Sequence, residues 1–189
     1  MTKPAQLVPT SSQTVGPYFR IGLEHLIEPA TEAQATAAGS VEIRGQVLDG
    51  EGLPVPDAML EFWGADSFGT YSCSSSQPSG SPAGFHRVAT DDSGTFSVTT
   101  VKPGPVPLSG GGFQAPHLVV LVFARGLLRN LITRVYFSDE PGNATDLVLG
   151  QVPEDRRRTL IANGDGQGKA LFHWNIILQG KDETAFFAW

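Results

Sequence analysis

The chain has 189 residues and a formal charge of −6, from 13 Lys and Arg against 19 Asp and Glu. That length buries one core without staples, and the negative sign argues against partners rich in phosphate, nucleic acid above all. The only cysteine, Cys73, has no internal partner for a disulfide, which suits a reducing, cytoplasmic compartment. No stretch approaches the roughly 18 uninterrupted apolar residues of a membrane helix, and the N-terminal residues lack the apolar run of a signal peptide. With 22 Gly and 14 Pro and little helical periodicity, the composition points to an all-β fold rich in turns.

In chain order, residues 1–20 read as a Pro-punctuated arm whose aromatics, in VGPYF, need a surface to pack on. Residues 21–40 hold one weak helical patch, ATEAQATAA, ended by Gly39. We expect residues 1–40 to be an arm that packs on a partner chain and residues 41–189 to form one β-sandwich. From Val41 the pattern alternates: Val41, Ile43, Gly45 and Val47 share one side of a strand, and Glu42, Arg44 and Gln46 the other. AMLEFWGAD is a second strand. The Ser-rich segment 72–84 reads as a long loop. TDDSG reads as the turn of a hairpin between HRVA and TFSVTTV, with Gly94 at the position of positive φ. HLVVLVFA and LITRVYF are adjacent strands, the first apolar on both faces and the second split by Arg134. NGDGQG is a hairpin turn and not a phosphate loop, since no helix and no Lys-Ser/Thr pair follows. ALFHWNIIL is a last strand, and the terminal FFAW is a sticky patch expected to fill a subunit contact.

The stretches GQVLDGEGLPVPDAMLEFW and TDDSGTFSVTTVKPG resemble those of prealbumin-like antiparallel β-sandwiches, a likeness that specifies fold alone. On that basis a non-catalytic binding module remains open. SSQTVGPYF, EFWGADSFGTY, VKPGPVP, APHLVVLVFARG and LITRVYF go further. Together they resemble the intradiol ring-cleaving dioxygenases over most of the chain, and within them the alpha, non-iron-binding chain of the family's two-chain enzymes. A self-sufficient catechol or hydroxyquinol enzyme fits less well, because the added helical dimerisation segment of those chains is not evident.

Catalytic chains of that family bind Fe(3+) with two tyrosinates and two histidines, hard anionic and imidazole donors suited to a small trivalent cation. Carried over by motif, the four positions are Tyr71, Val106, His117 and Val119, so half of the set is valine. An arginine that aids catalysis in the family falls on Gln114. Tyr18 and Tyr136 are the only other tyrosines, and His25, His86 and His173 do not lie at ligand spacing from His117. The resemblance therefore implies that this chain binds no metal and that Fe(3+) sits in a homologous beta subunit. Tyr71 and His117 would then be packed, hydrogen-bonded residues of a vestigial site.

The resemblance also implies a substrate, a catechol bearing a carboxylate, and O2 as co-substrate. It assigns Thr14, Gly16, Pro17, Tyr18 and Arg134 of the alpha chain to the wall of the beta chain's pocket. Hydroxyls, a rigid Gly-Pro bend and an aromatic plane suit such a wall. Arg134 interrupts an apolar strand on the face of Ile132 and Tyr136, and needs either an internal anion or an anionic ligand; both readings stay open. Arg156, Arg157 and Arg158, beside Glu154 and Asp155, read as a solvated surface or short-helix cap.

Overall fold

The computed structural model describes residues 11–14, 16, 18–27, 39–71, 84–166 and 170–188. Pro17, Cys73, most of the Ser-rich loop and the patch ATEAQATAA lie outside the described residues. In chain order the strands are β1 (Ser40–Leu48), β2 (Met59–Gly64), β3 (Phe85–Ala89), β4 (Thr95–Val101), β5 (Val106–Pro107) and β6 (Phe113–Gln114). They continue as β7 (His117–Phe123), β8 (Leu131–Phe137), β9 (Ile161–Gly164), β10 (Leu171–His173) and β11 (Ile176–Ile177). Helices are short: Tyr18–Leu23, Leu147–Gln151 and Glu154–Arg157.

One layer of the sandwich runs β3-β2-β7-β8, and the other places β4 on one side of β1 with β10 and β11 on the other. β9 joins the layers, parallel to β8 and antiparallel to β10. The alternation read from the sequence decides which faces meet. Val41, Ile43 and Val47 of β1, Leu60 and Phe62 of β2, Leu118, Val120 and Val122 of β7, and Val135 and Phe137 of β8 form one buried cluster. Each such side chain stabilises the fold by about 1.5–3 kcal/mol relative to exposure. The opposite faces of β7 and β8 carry His117, Val119, Arg134 and Tyr136, and a second, smaller cluster around Tyr136 includes Leu149 of the helix Leu147–Gln151 and receives Phe187.

Three local readings change. TDDSG does form a turn, with the Asp91 carboxylate accepting from the Ser93 and Thr95 amides and Gly94 at φ 70°. It joins the two layers and is not a hairpin, because β3 pairs with β2 whereas β4 pairs with β1. ALFHWNIIL is two strands: a Cβ on Gly45 would lie 1.6 Å from the Trp174 carbonyl oxygen, so β1 and the last strand approach too closely there to pair regularly. Phe186 and Phe187 pack on this chain's own two clusters, and the Phe187 amide donates to Ile132 O at 2.8 Å. Of the arginine triplet only Arg157 is a short-helix cap: it donates to Gly150 O and Val152 O, both at 2.9 Å, satisfying carbonyls at the end of the preceding helix, while Arg156 and Arg158 reach Glu183 O and Asp182.

Candidate functional site

The positions singled out in GTY, PGPVP and APHLV converge at the head of β7, and glycines make that convergence sterically feasible. Asp66 accepts from the Phe68 and Thr70 amides, both at 2.9 Å, an Asx turn that hands the chain to Gly69 at φ 78°. A Cβ on Gly69 would stand 1.9 Å from Pro105 O, and one on Gly104 would stand 2.3 Å from Ser67 O. The two loops therefore lie backbone against backbone, which only glycine permits. Tyr71 leaves the first loop with its hydroxyl 3.4 Å from His117 Nε2. Val106 follows the second, on β5, directly across from Gln114 on β6.

His117 is buried, and its Nδ1 lies 2.7 Å from the Ala115 carbonyl. A carbonyl only accepts, so Nδ1 carries the proton, and Nε2 offers its lone pair to the Tyr71 hydroxyl. Burial, reinforced by the nearby Arg134 cation, holds His117 down to about 4, so the ring is neutral at physiological pH. Burial also pushes the Tyr71 phenol up and the Tyr136 phenol up to about 12. Both phenols stay protonated.

Arg134 stands across from Val119 and Tyr136 across from His117. Arg134 is 8% exposed; its Nη1 donates to Gln114 Oε1 at 2.6 Å and to the Tyr136 hydroxyl at 3.4 Å. Among the described residues no carboxylate lies within 4.0 Å of the guanidinium, and its buried Nε makes no hydrogen bond. Behind this pair, the Tyr136 hydroxyl donates to Asp146 at 3.2 Å.

Asp146 was not among the residues read from the sequence, yet it holds the cluster in register. Its buried carboxylate accepts from the amides of Ala115, Val148 and Leu149 at 2.8, 2.9 and 2.7 Å. It thus caps the helix Leu147–Gln151 and fixes the residue whose carbonyl orients His117. An N-cap signal existed, an Asp directly before the apolar LVL. Its cross-links to Ala115 and Tyr136, over 31 and 10 residues, had none.

The arm lies elsewhere. The Gly126 amide, in the β7–β8 turn, donates to Thr14 Oγ1 at 2.8 Å. Phe19 stacks on Phe123 with ring centroids 5.1 Å apart, and Arg20 donates to Pro56 O at 2.7 Å. Phe123 is six strand residues from His117, about 20 Å at ~3.3 Å per residue. Thr14, Gly16 and Tyr18 are therefore gathered at one end of the β7–β8 pair, and Tyr71, Val106, His117, Val119 and Arg134 at the other. Tyr18 is 79% exposed.

At the closed end the donor chemistry is incomplete. Tyr71 and His117 present oxygen and nitrogen, whereas Val106 and Val119 present methyl groups, so the four positions do not fit a trivalent metal ion.

The family model described as Dioxygenase matches residues 14–180. The protocatechuate 3,4-dioxygenase alpha chain of Burkholderia cepacia is 42% identical over 94% of this chain and 96% of its own length. That of Pseudomonas putida is 38% identical over 97% and 98%. The beta chain of the B. cepacia enzyme is 30% identical over 76% of this chain and 66% of its own. Among solved structures, 3-chlorocatechol 1,2-dioxygenase from Rhodococcus opacus 1CP superposes with a TM-score of 0.62 at 21% identity, covering 92% of this chain and 69% of that one. The dioxygenase domain of a carbohydrate-binding fusion from Streptomyces sp. SirexAA-E gives 0.61 at 22% identity, covering 96% and 97%. These likenesses confirm the sandwich, and with the family model and the alpha-chain relatives they establish that the chain belongs to the dioxygenase family of intradiol ring-cleaving enzymes.

Proposed function

We propose that this chain is the alpha, non-iron-binding partner of a homologous beta chain that carries Fe(3+). Together they would cleave 3,4-dihydroxybenzoate between its hydroxyls with both atoms of O2, giving 3-carboxy-cis,cis-muconate. The observation that carries the reading is a pairing: kinship with alpha chains over nearly the whole length, and valine at two of the four positions where the family holds its metal. The weaker similarity to a beta chain is what a pseudo-symmetric pair of homologues would leave.

In this reading residues 1–40 are the arm that packs on the beta chain, and residues 41–189 the sandwich. Thr14, Gly16, Pro17 and Tyr18 wall the beta chain's pocket. A solvent-facing Tyr18 supplies a flat surface for an aromatic ring, and binding that orients the ring toward a remote reacting diol lowers the barrier by positioning. The wide separation of the arm from this chain's own His117 supports a duty toward another chain. Arg134, which the resemblance assigns to the same wall, is committed to Gln114 inside this chain. The pairs would assemble into a larger hetero-oligomer in the cytoplasm. Among the described residues no helix is long and apolar enough to cross a membrane.

Co-expression with a beta chain tests the proposal. The complex is expected to be red-brown, to cleave protocatechuate and to hold one iron per alpha-beta pair. This chain purified alone should show no tyrosinate-to-iron charge-transfer band. A strong band with ring-opening turnover from the lone chain would overturn it.

A further inference from the structure

Arg134 is a buried cation whose charge no neighbour compensates. Its Nη1 donates to Gln114 Oε1 at 2.6 Å and to the Tyr136 hydroxyl at 3.4 Å, both of them neutral acceptors. Nε is buried without a hydrogen bond, and among the described residues Nη2 has no acceptor either. A buried guanidinium normally takes a carboxylate. The cluster's own carboxylate is withheld: Asp146 stands behind the Tyr136 hydroxyl, its oxygens taken up by that hydroxyl and by three backbone amides.

Asp146 nevertheless fixes both neutral acceptors. It accepts from the Ala115 amide, directly after Gln114, at 2.8 Å, and from the Tyr136 hydroxyl at 3.2 Å. Where the guanidinium sits is thus set by a carboxylate that does not pair with it. A glutamate is isosteric with Gln114 and would make a stronger, charge-assisted bond to Arg134. The chain carries the amide instead, which holds the guanidinium and leaves its charge available.

We propose that Gln114 is a positioning residue for substrate selection, orienting Arg134 through a neutral oxygen so that the positive charge stays free for the carboxylate of the aromatic substrate, an assignment that rests on the reading of this chain as part of the beta chain's pocket wall and deepens it. An anionic ligand gains most beside an unpaired cation. A glutamate at this position would compete with that ligand for one guanidinium and repel it.

Two variants of the alpha-beta complex separate charge from packing. If Gln114 served packing alone, Gln114→Leu would be the more damaging change and Gln114→Glu harmless. Because Gln114 preserves a charge, the order reverses: Gln114→Glu should raise the KM for protocatechuate at least about tenfold, the loss of one charge-assisted bond, with kcat falling far less. Gln114→Leu, which frees the guanidinium but leaves it unpaired, should raise the KM less. Iron content should match the parent in both variants, and so should the inhibition constant of catechol, a competitor without the carboxylate. A Gln114→Glu complex with the parent KM would overturn the proposal, as would a leucine variant worse than the glutamate one, or equal weakening of protocatechuate and catechol. If Gln114→Leu fails to assemble, the isosteric Gln114→Glu decides against the parent. A parent complex holding no iron would refute the iron-bearing partnership and the proposal with it, an outcome distinct from an active parent and an unmoved variant.

Discussion

The β7–β8 pair is closed at one end and open at the other: a mostly buried cluster, with Tyr71 reaching solvent, stands opposite an exposed N-terminal arm. At the closed end His117, Arg134 and Tyr136 are buried, and hydrogen bonds link them to Tyr71, Gln114 and Asp146. At the open end Thr14 and Tyr18 are exposed, and among the described residues the arm is tied down by the Gly126 amide, the Phe19–Phe123 ring stack and the Arg20–Pro56 bond. Rigid, over-determined contacts belong to the pocket that folding completes; sparse contacts belong to residues available to a second surface.

Two glycines of the same backbone sign test that contrast most severely. Gly69→Ala places a methyl 1.9 Å from Pro105 O at φ 78°. Strain and backbone clash together should cost at least about 4 kcal/mol and displace Tyr71. Gly126→Ala, at φ 85° with nothing within 4 Å, should cost only the left-handed penalty of about 1–2 kcal/mol. Urea midpoints at constant m-value would read both. Equal losses would erase the difference between the two ends.

Asp146→Ala removes the acceptor for three backbone amides and the Tyr136 hydroxyl. A lost cap is worth about 1 kcal/mol and each buried orphan about 1–3 kcal/mol, so a loss of about 4 kcal/mol is expected. The tyrosines should report it: Tyr136, raised chiefly by burial, should titrate somewhat lower once the Asp146 charge and hydrogen bond are gone, visible in an alkaline absorbance titration, while the arm, at the far end of the strand pair, should be undisturbed.

The closed end should also carry an acid limit. His117 is held near 4 in the folded chain against an ordinary value of 6.5, with Arg134, Tyr71, Tyr136 and Asp146 facing it. Its neutral form favours folding fully above pH 6.5. As pH falls from there toward 4 the unfolded chain takes up the proton first, so stability declines by about 3 kcal/mol across that window. His117→Gln should flatten the slope of unfolding free energy against pH between 4 and 6.5; an unchanged slope would show that other groups set it. On the alkaline side the sign reverses, because Tyr136 is raised from 10 to about 12. Stability is complete below pH 10 and falls as pH climbs to 12.

How much of this was legible follows the range of the interactions. Period-two alternation named the strands and their buried faces, since Val41, Ile43 and Val47 or Leu118, Val120 and Val122 need only their own neighbours in sequence to declare a face. That Tyr71 and His117 belong together, as their 3.4 Å contact shows, was legible because each sits in a local motif of the family. The pairing of β3 and β4 was not, because a turn such as TDDSG suits a hairpin and a step between layers equally well. Nor was the Arg134–Gln114 bond, which joins residues 20 apart through the accident of which strands lie side by side.

The smallest expected change in stability tests the open end. Thr14→Val removes one exposed acceptor that serves the Gly126 amide at 2.8 Å and the Gly16 amide at 3.4 Å. An exposed hydrogen bond contributes about 0.5–1 kcal/mol, so the complex should melt within a few degrees of the parent. If the arm walls the beta chain's pocket, the KM for protocatechuate should nevertheless rise several-fold with kcat little altered, as loss of a contact made equally in ground and transition states predicts. Thr14→Ser keeps the hydroxyl and should recover the parent KM. An unchanged KM in an intact Thr14→Val complex would place the arm at the subunit seam only. The open end would then differ from the closed one in exposure but not in chemical duty.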